Sequence, residues 1–212
     1  MRTLGDLVAT LELGGVAVYP LLALLVLAAS VTLEKAYVLL RRTRLPVDLA
    51  ELVETYGFDW AVLERRLGAL DSRNYFRAFF AIILENRERP AWWVESRAAD
   101  EASLVERSLG RWLWVLETIV TAAPLLGLLG TIAGMIRAFK LFGNQGLVDP
   151  IGVTGGVAEA LIATAVGLFI ALLALFAFNF FSARQAQIMD EMDRLGTRLI
   201  DHIRLDLGEG RP

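Results

Sequence analysis

Gly155-Gly156-Val157-Ala158-Glu159-Ala160-Leu161-Ile162-Ala163-Thr164-Ala165-Val166-Gly167-Leu168 is the stretch that decides the fold. It places one carboxylate, Glu159, in an apolar run, and from Ala160 to Ala183 roughly two dozen residues carry no charge, enough to cross a bilayer. An ionisable side chain at such depth costs about 3 kcal/mol on lenient scales, so it persists only if protonated, paired or facing water. No Lys or Arg lies between Asp149 and Arg184. The charge must therefore be neutralised by a proton or by another helix.

Working outward, two further stretches are long enough to span. One runs from Leu13 to Leu33, roughly 21 uncharged residues, and another from Thr118 to Ile136, roughly 19. The third span starts near Pro150, a residue suited to a first helical turn. The chain divides accordingly into an amphipathic helix at residues 1–12, spans at 13–40, 111–142 and 150–183, a cytoplasmic helical domain at 41–110, a periplasmic loop at 143–149 and a cytoplasmic helical tail at 184–212. The first apolar segment is read as a retained span rather than a cleaved leader, because it ends at Glu34-Lys35 and not at small residues. Arg41, Arg42 and Arg44 follow it, Arg107 and Arg111 precede the second span and Arg184 follows the third, whereas the opposite side offers Arg2 and Lys140. Positive residues stay in the cytoplasm, so the N-terminus is expected outside and the C-terminus inside.

Composition agrees with spans separated by polar segments: hydrophobic residues make up 56% and charged residues 21% of 212, and mean hydropathy is +0.52. A net charge of -3 argues against a nucleic-acid binder. The chain has no cysteine, so thiolate chemistry and disulfides are excluded. His202 sits in a polar segment where any second metal ligand would have to be a carboxylate, and it is expected to be a solvated surface histidine. No cofactor or metal is expected. Nor is an enzyme, since no nucleophile-base pair, ligand cluster or phosphate loop is present.

Between the first two spans the pattern is helical. Leu49, Leu52, Val53 and Tyr56, then Trp60, Leu63, Leu67 and Leu70, keep helical spacing. Phe76 to Leu84 is apolar but too short to span and predicts a buried helix. A helix from Trp92 is expected to run unbroken into the second span. In the tail, Ile188, Met192, Leu195, Leu199, Ile203 and Leu205 predict an amphipathic continuation of the third span.

Small residues mark the second and third spans. Ala123, Gly127, Gly130, Gly134 and Ala138 form one stripe, and Gly156, Ala160, Ala163, Gly167, Ala171 and Ala174 another. In lipid, such stripes permit close backbone contact. Two striped helices beside a plain Leu/Val-rich one fit a ring in which the striped pair lines the centre and the first span faces lipid. Thr131 sits mid-way along the second span, and Thr164 lies one turn beyond Glu159 but about 140° around the axis. A lone threonine in a span usually bonds its own i-4 carbonyl; beside an acid, hydroxyls can also form part of a polar path.

The strings Ala123-Pro124-Leu125-Leu126-Gly127-Leu128-Leu129-Gly130-Thr131-Ile132-Ala133-Gly134-Met135-Ile136-Arg137-Ala138-Phe139 and Gly155 to Leu168 resemble the two signature segments of the ExbB/TolQ/MotA proton-channel family, the ExbB branch most. The resemblance implies an all-α integral membrane protein of the bacterial inner membrane, with three transmembrane helices, long cytoplasmic extensions and a pentameric ring. It implies two copies of an ExbD-like single-span partner in the pore, proton flow that drives rotation, and work passed to a TonB-like protein for outer-membrane import. Carried over by motif, Glu159 is the essential acid and Thr131 and Thr164 are pore-lining hydroxyls. The proton-carrying aspartate would belong to the partner. A TolQ-like subunit for envelope maintenance, a MotA-like stator and a non-conducting scaffold are the alternatives; a MotA-like chain would have four spans, and a scaffold would have no use for Glu159.

Overall fold

The structure is a computed structural model that describes residues 16–55, 57–140 and 150–208. The amphipathic helix expected at residues 1–12 and the loop expected at 143–149 lie outside the described residues. All regular structure among the described residues is helical: α1 (Val18–Arg42), α2 (Val47–Glu54), α3 (Trp60–Gly68), α4 (Tyr75–Glu85), α5 (Ala91–Gly110), α6 (Leu113–Lys140) and α7 (Pro150–Asp206). Three stretches among them are long and apolar enough to cross a membrane, Val18–Arg42, Ala91–Lys140 and Gly152–Asp206, with mean hydropathies of 1.8, 2.0 and 2.7. The chain forms two compact units, one from Met1–Thr32 and Trp112–Phe180, the other from Leu33–Arg111 and Phe181–Pro212.

The second unit has an orthodox apolar core. Phe76, Phe79, Phe80 and Ile83 of α4 are buried together with Leu49 and Val53 of α2, Leu63 and Leu67 of α3, Val94 and Ala98 of α5, and Met192, Leu195, Leu199 and Ile203 of α7. These positions fall at steps of three and four because one face of each helix turns inward. Leu205 is out of phase with Ile203 by two residues and is exposed, which removes it from the stripe expected in the tail. Short helices need their ends closed, and here side chains do it. Asp59 accepts from the Ala61 amide at 2.8 Å to begin α3. Asn74 is buried, accepts from the amides of Phe76 and Arg77 to begin α4, and donates through Nδ2 to the Arg44 carbonyl at 2.7 Å.

Asn74→Ala removes a cap and the donor to the Arg44 carbonyl at one stroke, and takes a buried polar side chain out of the fold. The expected loss is about 2 kcal/mol, or about 5 °C in the melting temperature of the detergent-solubilised chain followed by circular dichroism. Asn74→Asp keeps the cap acceptor and should lose less; equal stability of Asn74→Ala and the unaltered chain would count against this account.

Lys35 is buried and donates from Nζ to the Leu109 carbonyl at 2.9 Å, serving a carbonyl that the end of α5 leaves without an intrahelical partner. His202 also departs from expectation. It is half-buried, its ring is stacked on Phe58 with centroids 4.4 Å apart, and its Nε2 lies 3.0 Å from the Val53 carbonyl, to which it donates. An aromatic partner and a backbone acceptor explain the histidine better than solvent does.

The helix expected to pass without interruption from Trp92 into the second span is broken. α5 ends at Gly110, Arg111 and Trp112 form a turn, and α6 starts at Leu113. Trp112 takes φ 68°, a left-handed conformation that costs a bulky residue about 1–3 kcal/mol and stops helix propagation. The change of backbone conformation falls two residues after Gly110, the last residue of α5.

In the first unit, the two stripes of small residues meet. Ala123, Gly127, Gly130, Gly134 and Ala138 of α6 are buried, as are Ala160, Ala163, Gly167, Ala171 and Ala174 of α7. A Cβ added at Gly127 would lie 3.0 Å from the Thr164 Cα, and one added at Gly134 would lie 2.9 Å from the Ala160 Cβ. At Gly130 it would meet the methyls of Ala163 and Ala17 at 2.7 and 2.8 Å. The stripes are thus spent on each other within one chain, so they no longer argue by themselves for contacts between copies. What the helices turn outward is large and apolar: Leu125, Leu128, Leu129 and Ile132 on α6, and Leu161, Leu168, Phe169 and Leu172 on α7. Such a surface suits lipid or other membrane helices rather than water.

Candidate proton site

The close approach of α6 and α7 positions the charged groups. A Cβ at Gly156 would stand 2.9 Å from the Ala138 Cβ, so the opening turns of α7 lie directly on the last turns of α6. Glu159 follows Gly156 by three residues and Arg137 precedes Ala138 by one. The two side chains therefore face one another, and Arg137 Nη2 donates to Glu159 Oε1 in a charge-assisted hydrogen bond. The counter-charge demanded by the sequence comes from another helix of the same chain. Side-chain exposure is 45% for Arg137 and 24% for Glu159, so the bare chain leaves the pair partly open; its worth rises only when lipid or protein covers it.

Deeper along α7, Thr164 meets Thr131 of α6. Their Oγ1 atoms are in hydrogen-bond contact. The Gly127 carbonyl lies 3.2 Å from Thr131 Oγ1 and 3.1 Å from Thr164 Oγ1, and the Ala160 carbonyl lies 3.3 Å from Thr131 Oγ1. Each hydroxyl carries one hydrogen. If Thr131 donates to Thr164, then Thr164 donates to the Gly127 carbonyl; if Thr164 donates to Thr131, then Thr131 donates to Gly127 or Ala160. The pair thus has two arrangements of its hydrogens, which differ only by hydroxyl rotation. Thr131 has its i-4 carbonyl within reach, as a lone threonine would, but it also bridges the helices. Both threonines are half-buried between α6 and α7 rather than standing on an open face.

Gly127, Gly130, Gly134, Ala160, Ala163 and Gly167 form the contact that holds these groups together. Glu159 joins Arg137, and the threonines join each other; among the described residues no hydrogen bond links the acid to either hydroxyl. Arg137 was the residue missed in sequence. Its signal was present: it lies three residues after Gly134 and next to Ala138, on the edge of the stripe that packs against α7.

The pattern of the MotA/TolQ/ExbB proton channel family matches residues 71–194, more than half of the chain. A biopolymer transport protein of Synechocystis, ExbB-like 3, is 32% identical over 187 residues, covering 84% of this chain and 87% of that protein. The biopolymer transport protein ExbB of Xanthomonas campestris is 42% identical over 87 residues, 41% of this chain and 34% of its own length. ExbB of Aquifex aeolicus is 37% identical over 76 residues, 36% of this chain and 51% of its own length. The chain is an all-helical membrane protein with three apolar helices among its described residues, it is similar to transport proteins rather than to enzymes, and it belongs to the MotA/TolQ/ExbB proton channel family.

Proposed function

We propose that this chain is the channel subunit of an ExbB-type proton-driven complex of the bacterial inner membrane. In this reading a ring of copies, five by family resemblance, surrounds two ExbD-like single-span chains, and proton flow through the ring supplies mechanical work to a TonB-like protein for outer-membrane transport. Glu159 is the proton-exchanging acid, with Thr131 and Thr164 as hydroxyls of the proton path. The observation that carries the reading is an acid held at the contact of two close-packed apolar helices that otherwise present leucine and phenylalanine outward. A passive anchor gains nothing from an ionisable group there. The extended similarity to ExbB-like 3 of Synechocystis supports the ExbB branch.

The functional test is complementation. Produced with a small single-span partner bearing an intramembrane Asp, the chain should restore growth on chelated iron to cells lacking their own ExbB-type subunit, and a protonophore should abolish the uptake. Restored growth that ignores the protonophore would remove the proton-driven reading.

The arginine bias predicts the topology separately. In intact cells, cysteines placed at Arg73 and Arg198 should be protected from an impermeant thiol reagent, while one placed at Asn144 should react. The reversed labelling pattern would overturn a periplasmic N-terminus and cytoplasmic C-terminus.

A further inference from the structure

We propose that a groove between α5 and the tail of α7 is a docking surface for a basic, apolar segment: the Lys/Arg-bearing cytoplasmic flank of a single-span membrane partner. This rests on the proposed function for the existence and topology of that partner; the groove itself does not depend on it.

All the residues that line the groove belong to the second compact unit. On α5, Glu95, Ala98, Ala99 and Ala102 stand at steps of three and four and so share one face, and on α7 Asp193, Gly196, Ile200 and Arg204 do the same. Three alanines and a glycine stand where the neighbouring core has leucine and phenylalanine. The space left between the helices is about 420 Å³, within the range of ligand clefts. A Cβ at Gly196 would lie 2.8 Å from Phe79 Cζ, so the bare backbone there lets the Phe79 ring of α4 close the floor. That floor is apolar: Phe79, Ala98 and Ile200 are buried. From Glu95 to Ala102 the groove follows α5 for roughly 10 Å, and from Met189 to Arg204 it follows α7 for roughly 22 Å. A trough of that shape suits the side chains of a helix or extended segment rather than a compact metabolite.

The rim sets the sign of the occupant. Arg204 of α7 donates to Glu95 of α5 at 3.0 Å and to Asp201 at 3.2 Å, so its charge is spent within the unit. Asp190 and Asp193, both exposed, leave three lining carboxylates against one guanidinium. Such a rim turns away phosphates and anionic headgroups and attracts Lys and Arg. In the proposed topology this unit is cytoplasmic, and the rule that keeps its own arginines there also places Lys and Arg beside the cytoplasmic end of a partner's span. A flank tethered by a span in the same complex is present at an effective concentration in the mM range, so a trough smaller than a free-standing interface is enough to hold it.

The test is photo-cross-linking in cells that make the full chain together with the single-span partner used for complementation. Benzoylphenylalanine is placed at Ala99 or at Thr197, on the two exposed edges of the trough, and adducts are identified by peptide mass spectrometry. From both positions the adduct should be to the partner's cytoplasmic flank. Asp190→Lys combined with Asp193→Lys should cut that product on the order of tenfold, and replacing the flank's Lys and Arg with Glu should restore it, which a misfolded chain could not do. Adducts only to a second copy of this chain, only to lipid, or to nothing overturn the proposal, as does cross-linking that ignores the reversed charges or stays low after the exchange. In Glu159→Gln the product should persist although proton-driven growth is lost. Docking and the motor can thus fail separately: complementation without cross-linking removes the docking surface alone.

Discussion

Cells made to depend on this chain for energy-coupled import should stop growing on chelated iron when Glu159 is replaced by glutamine, although the protein should still be made, inserted and assembled at normal levels. The amide keeps the shape of the side chain and an oxygen able to accept from Arg137, so the packing of α6 on α7 has no reason to change. What it cannot do is take and release a proton. Positioned acid-base groups are worth about a hundredfold or more, and a channel that needs the group in every cycle loses at least that much. Glu159→Asp should also be poor, because a shortening of roughly 1.5 Å takes the carboxyl out of range of a transfer that requires about 3 Å. Thr131→Val and Thr164→Val should retain partial activity: water can stand in for a lost hydroxyl more readily than for a lost acid. The measurement is growth rate on chelated iron alongside pull-down of the partner. Undiminished growth with Glu159→Gln would leave the passive scaffold as the better reading.

The residues that sequence reveals and those it hides differ in physical kind. Glu159 stands out because charge in an apolar run is costly wherever the other helices lie. The small-residue stripes are visible for a similar reason, since spacing along one helix determines which side chains share a face. What a stripe faces is a tertiary fact. Here each faces the other in the same chain, where a ring of copies had been expected to use them. Arg137 stayed hidden because its partner is on a different helix, and the register between α6 and α7 is set by contacts such as Gly156 on Ala138 that spacing alone does not supply. The turn at Arg111 and Trp112 was hidden too. Tryptophan does not favour a left-handed backbone, so no propensity marks the break; only the surrounding structure can hold it there. His202 is the converse case, a residue whose polarity pointed outward while Phe58 and the Val53 carbonyl gave it a place inside.

The contact between the stripes yields the second large effect, at Gly167. A Cβ there would come 2.5 Å from the Ala123 carbonyl oxygen and 3.1 Å from the Gly127 Cα. Both obstacles are backbone, so no side-chain rotation relieves the clash, and the helices must separate. Even Gly167→Ala should therefore be destabilising, and Gly167→Leu far more so, by about 3 kcal/mol or more, the upper range for overpacking. That corresponds to a fall of roughly 6 °C or more in melting temperature for a chain of this size. Separation of α6 from α7 also parts Arg137 from Glu159 and Thr131 from Thr164, so activity should be lost with stability. Gly155 is the control. A Cβ added there meets nothing within 4 Å, so Gly155→Leu should melt with the unaltered chain in mild detergent. If Gly155→Leu then prevents assembly with other copies or with the partner, its face of α7 lies at an interface between chains, in contrast to Gly167, whose role is internal. Unchanged melting of Gly167→Leu would mean that α6 and α7 do not pack through these stripes, and the placement of Glu159 opposite Arg137 would fall with it.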